Sequence, residues 1–229
     1  MSTVFIISAP SGSGKSTLVN ELRKIVSHLE FSISYTTRAP RGSEQNGKEY
    51  FFVPREQFDD MVRQNEFLEH ADVFGKCYGT ARRFLREAEA KGNDLLLDID
   101  VQGAEQVKAK IPDAVTIFVL PPDRKTLEWR LRNRSEDSKE EIQRRLVTAR
   151  REIEKYDKYD YILVNDHLED SVEALKAIVL TERSRRSGCV TSADSKNQKI
   201  AEQWRLENIR ERIRPIIESF GSESAPGSV

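Results

Sequence analysis

The chain has 229 residues, enough for one domain with insertions, or a core with small subdomains, around a sizeable apolar interior. Its 37 Lys and Arg against 38 Asp and Glu leave a formal net charge of -1, so no global field draws it to nucleic acid or to a membrane, and any anion site must come from a local cluster. The two cysteines, Cys77 and Cys189, stand far apart and without company at metal-ligand spacing. No signal-peptide order opens the chain and no apolar run approaches about 18 residues, so a soluble cytoplasmic protein is expected.

In chain order, Val4-Phe5-Ile6-Ile7 reads as a strand. The segment Ala9-Pro10-Ser11-Gly12-Ser13-Gly14-Lys15-Ser16-Thr17 follows directly and leads into Leu18, Leu22 and Ile25 at helical spacing. Strand, glycine-rich turn and helix form the setting of a phosphate-binding loop. Glycines let backbone N–H groups converge on phosphate oxygens at a helix N-terminus, where unpaired donors and the helix dipole favour negative charge. These nine residues are the expected ATP site, with Lys15 reaching the β and γ phosphates and Ser16 holding Mg2+. Ala9 stands where the motif as usually written has glycine.

Further strand-like runs occur at 31–36, 50–53, 94–99, 115–120 and 161–164. Those at 4–8, 94–99, 115–120 and 161–164 are nearly continuous in apolar residues, as a parallel sheet covered on both faces requires. Residues 33–80 differ: turn signals at Ala39-Pro40-Arg41-Gly42 and Asn46-Gly47 separate short strands, with one helix over 55–64, which predicts an inserted, largely antiparallel lobe. A second insertion, 124–155, is charge-dense and helical, with Ser138 and Glu141 spaced as a capping box. The apolar strand Leu95-Leu96-Leu97 ends in Asp98-Ile99-Asp100, where a parallel sheet presents its ligand crevice. Asp98 is accordingly either a direct or water-mediated Mg2+ partner, or a solvated strand end or a cap for the helical segment starting near Gln102.

The lobe carries Thr36-Thr37-Arg38, Arg41, Glu44, Gly47, Tyr50 and Phe52 in the pattern T-[ST]-R-x2-[KR]-x2-[DE]-x2-G-x2-Y-x-F. Downstream come Glu69, Gly75-x-x-Tyr78-Gly79-Thr80 and Asp98-Ile99-Asp100-x-Gln102-Gly103. With the phosphate loop upstream, this order resembles the guanylate kinase family over roughly residues 4–183. The resemblance implies an α/β fold: a P-loop NTPase core with a parallel sheet flanked by helices (1–32, 84–123 and 156–190), a small mixed or antiparallel GMP-binding lobe (33–83), a helical lid (124–155) and a C-terminal helical tail (191–229). It implies transfer of the γ-phosphoryl group of ATP to GMP or dGMP with Mg2+, and no nucleic-acid or membrane partner.

Chemistry and resemblance together give the roles. Arg38 and Arg41 present planar forks to a phosphate monoester, and Tyr50 and Tyr78 donate hydroxyl hydrogen bonds to it. Glu69 can accept both the ring N–H and the exocyclic amine of guanine, a donor pair that adenine lacks. Ser34, Gly79, Thr80 and Asp100 complete the base pocket by resemblance, although Asp100 serves equally well as a helix cap. The family pattern picks out Arg134 and Arg145 of the lid as transition-state ligands, with Arg130 on the ATP side; Lys15, Arg38, Arg134 and Arg145 form the expected catalytic set. Two positions depart from the pattern: Ser135 follows the first lid arginine, and the turn glycine comes early, at Gly42. The acceptor phosphate is largely dianionic at neutral pH, so no general base is needed and His28, His70 and His167 are expected at packed or surface positions. After residue 184 the chain predicts an amphipathic helix through Trp204, Ile209, Ile213 and Phe220, kinked or restarted at Pro215, packing on its own core or on a second subunit in a homo-oligomer. Residues 221–229 read as disordered.

Overall fold

The computed structural model describes residues 2–73, 75–134, 138–188 and 194–221. Among the described residues, nine strands run β1 Val4–Ser8, β2 Leu29–Phe31, β3 Tyr35–Thr36, β4 Phe51–Phe52, β5 Phe67–Val73, β6 Lys76–Ala81, β7 Asp94–Asp98, β8 Val115–Leu120 and β9 Tyr161–Val164. The α-helices are α1 Lys15–Ile25, α2 Arg55–Arg63, α3 Arg83–Lys91, α4 Val101–Lys110, α5 Arg124–Arg134, α6 Lys139–Ile153, α7 Leu168–Ser187, α8 Asp194–Glu202 and α9 Leu206–Gly221. One sheet has the order β2-β7-β1-β8-β9 and the other β4-β3-β6-β5. The chain divides into two compact units, one reaching Ile6 and resuming over Val26–Val115, the other made of Ile7–Ile25 and Thr116 onward.

In the first unit β2 pairs with β7 in parallel, Leu29 opposite Asp94 and Phe31 opposite Leu96. The predicted single strand over 31–36 is in fact two, in different sheets. Ser32 still donates to the carbonyl of Leu96, after which the chain crosses and re-enters extended structure at β3. The alternation Phe31-Ser32-Ile33-Ser34-Tyr35 hides this break because both ends keep period two. The lobe sheet is mixed: β3 and β4 are parallel, whereas β3 with β6 and β5 with β6 are antiparallel. Phe58 and Met61 of α2 pack with Phe67 and Cys77 beneath it.

Strand β5 escapes a reading based on apolar runs because Glu69, His70 and Asp72 interrupt it. It is an edge strand, and α4 supplies the partners that a neighbouring strand would otherwise give. Gln106 bridges both backbone groups of His70, accepting from its N–H at 3.2 Å and donating to its carbonyl at 2.7 Å. Gln102 donates to the carbonyl of Asp72 at 3.4 Å and Lys110 to that of Leu68. Residues 102, 106 and 110 share one helix face, and 68, 70 and 72 share one strand edge, so the helix runs antiparallel along the strand.

In the second unit β8 and β9 pair in parallel from Ile117 opposite Tyr161 to Leu120 opposite Val164, with β8 buried throughout. Helix α1 lies on α7, and α7 on α8. Among the described residues, the segment 124–155 carries two α-helices, α5 and α6, and Ser138 caps the second, its hydroxyl accepting from Glu141 N–H at 3.2 Å. The tail packs on its own chain and departs from the prediction in one respect. The helix breaks at residues 203–205, not at Pro215, which lies inside a continuous α9. The break makes a β-bridge: Ile162 N–H donates to the Trp204 carbonyl at 2.9 Å and Leu206 N–H to the Asp160 carbonyl at 3.1 Å, closing the edge of β9. Ile209, Ile213 and Phe220 are buried, and α9 meets β9, α5 and α6. Glu182 accepts from Tyr161, Arg185 and Arg205, and both arginines also bond Glu202, tying α7, α8 and β9 together. Gly221, expected at the start of a disordered end, instead closes α9; the rest of that stretch, 222–229, falls outside the described residues.

Candidate active site

The phosphate loop connects β1 to α1 within the second unit. Gly12 and Gly14 adopt φ of 90° and 88°, a left-handed conformation that costs other residues heavily. Ser13 N–H returns to the Pro10 carbonyl at 3.1 Å and Leu18 N–H to the Gly14 carbonyl at 3.1 Å, so helix hydrogen bonding starts at the second glycine. Ala9, Pro10 and Ser11 form the entry, Lys15, Ser16 and Thr17 the first turn of α1, and the hydroxyl-bearing residues 16 and 17 are exposed. Asn165, buried just past β9, donates its amide to the Ser13 carbonyl at 2.7 Å, and a Cβ on Gly14 would lie 2.3 Å from that amide nitrogen. Arg130 donates to the main-chain carbonyl of Asn165 at 3.1 Å, while its other terminal nitrogen is buried with no hydrogen-bond partner among the described residues. Neither the Asn165 clamp nor its contact with Arg130 was anticipated; the signal available was a polar side chain ending an apolar strand, as at Asp98.

In the second of the two inserted helices, Arg145 of α6 is largely buried, with Nε 3.8 Å from Glu141. Arg134 ends α5, and its side chain lies outside the described residues, as does Ser135.

The lobe, within the first unit, gathers two groups. In one, the Arg38 guanidinium faces the ring of Tyr50 at 5.2 Å and that of Phe52 at 5.7 Å, and Tyr50 meets Tyr78 edge-on at 5.9 Å. Glu44 grips Arg38 with both oxygens, at 2.9 and 3.0 Å, and also accepts the backbone N–H of Arg41 at 2.7 Å. This pairing holds Glu44 below the ordinary carboxylate range and Arg38 above its ordinary value, with Tyr78 adding to the latter. The Arg38 fork expected to face a phosphate is paired with Glu44 in the structure, a contact foreshadowed only by the acidic position in the motif. Arg41 is exposed, and Gly42 takes the left-handed φ of 50° in the turn.

In the second group, Glu69 is 3% exposed and accepts from the Thr80 hydroxyl at 2.7 Å. Burial, opposed by Thr80 and assisted by the charge of Asp100, pushes its carboxyl up to about 7. Gly79 lets β6 run against Phe67 and the Glu69 carbonyl, where a Cβ would meet the ring at 2.9 Å. Ser34 supplies its carbonyl to Phe51 N–H at 2.9 Å. Asp100 caps α4, accepting Gly103 N–H at 2.8 Å, so the capping alternative is realised; Asp98 ends β7, half-buried.

The guanylate kinase family model matches residues 1–182. The chain is 60% identical to a guanylate kinase of Koribacter versatilis across 98% of both chains, and 46% identical to one of Escherichia coli across 81% of this chain and 90% of that one. A solved guanylate kinase from Anaplasma phagocytophilum superposes with a TM-score of 0.66 at 30% identity, covering 93% of this chain and 94% of the other. With the phosphate loop, the buried Glu69 and the Arg38 cluster in place, the chain belongs to the guanylate kinase family.

Proposed function

We propose that this chain transfers the γ-phosphoryl group of ATP to GMP, and to dGMP, giving ADP and the diphosphate. The observation that carries the acceptor assignment is a carboxylate, Glu69, buried beside Thr80 with no basic side chain bonded to it among the described contacts. A buried anion of that kind needs donors from a ligand, and guanine N1–H and N2–H supply two on one edge. Ser34, Gly79, Thr80 and Asp100 flank the base in this reading, and Arg38, Arg41, Tyr50 and Tyr78 take the GMP phosphate.

On the donor side, residues 9–17 cradle the ATP phosphates, with Arg130 and Arg134 beside them. Lys15 and the arginines at 38, 134 and 145 neutralise charge on the transferring group, and the reaction is in-line positioning of two polyanions without a general base. Mg2+ suits Ser16 and Asp98, hard oxygen donors of the number that magnesium takes from protein when phosphates and water fill its remaining positions. When bound it supplies further neutralisation of phosphate charge. We assign residues 33–83 to GMP, 124–155 to a lid and 191–229 to a stabilising tail.

A coupled assay with ATP and a panel of GMP, dGMP, IMP, AMP and ribose bisphosphate tests the reading. GMP should be the best acceptor and AMP and ribose bisphosphate inert; turnover of either at a rate near that of GMP would overturn it.

A further inference from the structure

Gly103 occupies the third position of α4 and is buried, with an ordinary helical backbone that any residue can adopt. Its lack of a side chain therefore serves space, not conformation. A Cβ built there would lie 2.5 Å from Oε2 of Glu69, 3.0 Å from its Cδ and 3.4 Å from Oδ1 of Asp100. The first distance is shorter than packed atoms tolerate and the second is tighter than most packed contacts, so the Glu69 carboxylate sits in the gap that the glycine leaves. The opposite oxygen is held by Thr80. Helix and strand cannot simply separate, because Gln102, Gln106 and Lys110 bond the backbone of β5 on either side of Glu69.

We propose that Gly103 is a specificity-determining position: its missing Cβ forms the seat that fixes the Glu69 carboxylate for base recognition. The proposal rests on the reading of Glu69 as the guanine acceptor. A methyl group at 103 leaves one soft way out, rotation of the Glu69 side chain away from α4. That movement keeps the fold and misplaces the acceptor oxygens.

The test is a double-mutant cycle with Gly103→Ala and Glu69→Ala, read by steady-state kinetics with ATP against GMP and IMP and by thermal melts without nucleotide. Gly103→Ala alone should raise KM for GMP about tenfold or more, leave KM for ATP unchanged, and narrow the GMP-to-IMP preference, since IMP lacks the N2 donors. In the Glu69→Ala background the same change should cost nothing further in KM and should raise Tm, because alanine is the better helix former once the carboxylate is gone. Equal effects of Gly103→Ala on Tm in both backgrounds would overturn the seat. Coupled Tm values with an unchanged GMP-to-IMP ratio in Gly103→Ala, where Glu69→Ala narrows it, would overturn the role in specificity. If Glu69→Ala itself left that ratio unchanged, the guanine reading would fall and the specificity role with it, while the melts would still report the packing gap separately.

Discussion

A carboxyl whose ordinary value is 4.5 and which burial raises to about 7 makes both folding and base binding depend on pH, in ways that Glu69→Gln separates. Between these values the folded chain carries the proton and the unfolded chain releases it. Folding then takes up a proton, and stability falls as pH rises through the window. Integrated from pH 5 to pH 8, this one group removes about 2 to 3 kcal/mol. Urea unfolding of the wild type and of Glu69→Gln at the two pH values should therefore show the difference between the proteins shifting by about that amount in favour of the variant at pH 8. Catalysis should run the other way. Accepting two guanine N–H groups requires the carboxylate, which is about nine-tenths populated at pH 8 and about one-tenth at pH 6. Wild-type kcat/KM for GMP should thus drop about tenfold over that range beyond the drop due to the phosphate of GMP itself, whose second pKa lies near 6. Glu69→Gln, already about ten- to a hundredfold lower at pH 8, retains only the phosphate contribution. Parallel pH profiles for the two proteins, in stability or in kcat/KM, would refute the argument.

Lys15→Met should lower kcat on the order of 10²- to 10³-fold in a protein with an unchanged melting curve, because the lost charge acts on the transferring phosphoryl group; near-normal turnover would remove Lys15 from the chemistry. Asn165→Leu deletes the donor to the Ser13 carbonyl and leaves that carbonyl unpaired, at a cost of about 1 to 3 kcal/mol, so KM for ATP should rise while KM for GMP holds. Ending the chain at residue 189 uncovers the edge of β9 and the surfaces against Ile209, Ile213 and Phe220. Melting should move to lower temperature and light scattering should show association, with turnover persisting in the folded fraction.

The parts of the fold legible in the sequence are those in which one segment satisfies one rule. The strands at 115–120 and 161–164 emerge with their predicted bounds because continuous apolar residues have no alternative to a buried sheet. The Ser138 cap follows from hydroxyl chemistry and spacing alone. Strand β5 was not legible, since its outer edge is satisfied by side chains of a helix some 30 residues on, a relation that no local window contains. The same applies at the site. The motif and residue chemistry together singled out Glu69 and Arg38 as candidates, but the pairing of Arg38 with Glu44, the Asn165 clamp and the gap at Gly103 depend on three-dimensional neighbours. Pro215 shows the opposite failure: a strong local rule against helix interiors is overruled by the burial of Ile209, Ile213 and Phe220 around it, and the missing hydrogen bond falls at an exposed position.

The seam between α4 and β5 is a vernier. Four residues of helix advance about 6 Å and two residues of strand about 6.7 Å, so successive rungs fall out of step by about 0.7 Å. The match is best at one rung, where Gln106 makes two bonds to one residue. One rung towards the helix N-terminus the bond has stretched to 3.4 Å, and one rung towards the C-terminus the side chain is the long, freely jointed Lys110. A helix cannot therefore serve as a full substitute for a strand. It holds the strand most closely at one rung, and the residue held there, His70, is the immediate neighbour of Glu69. An insertion or deletion within β5 or within α4 near this point should therefore move the Glu69 carboxylate relative to Gly103.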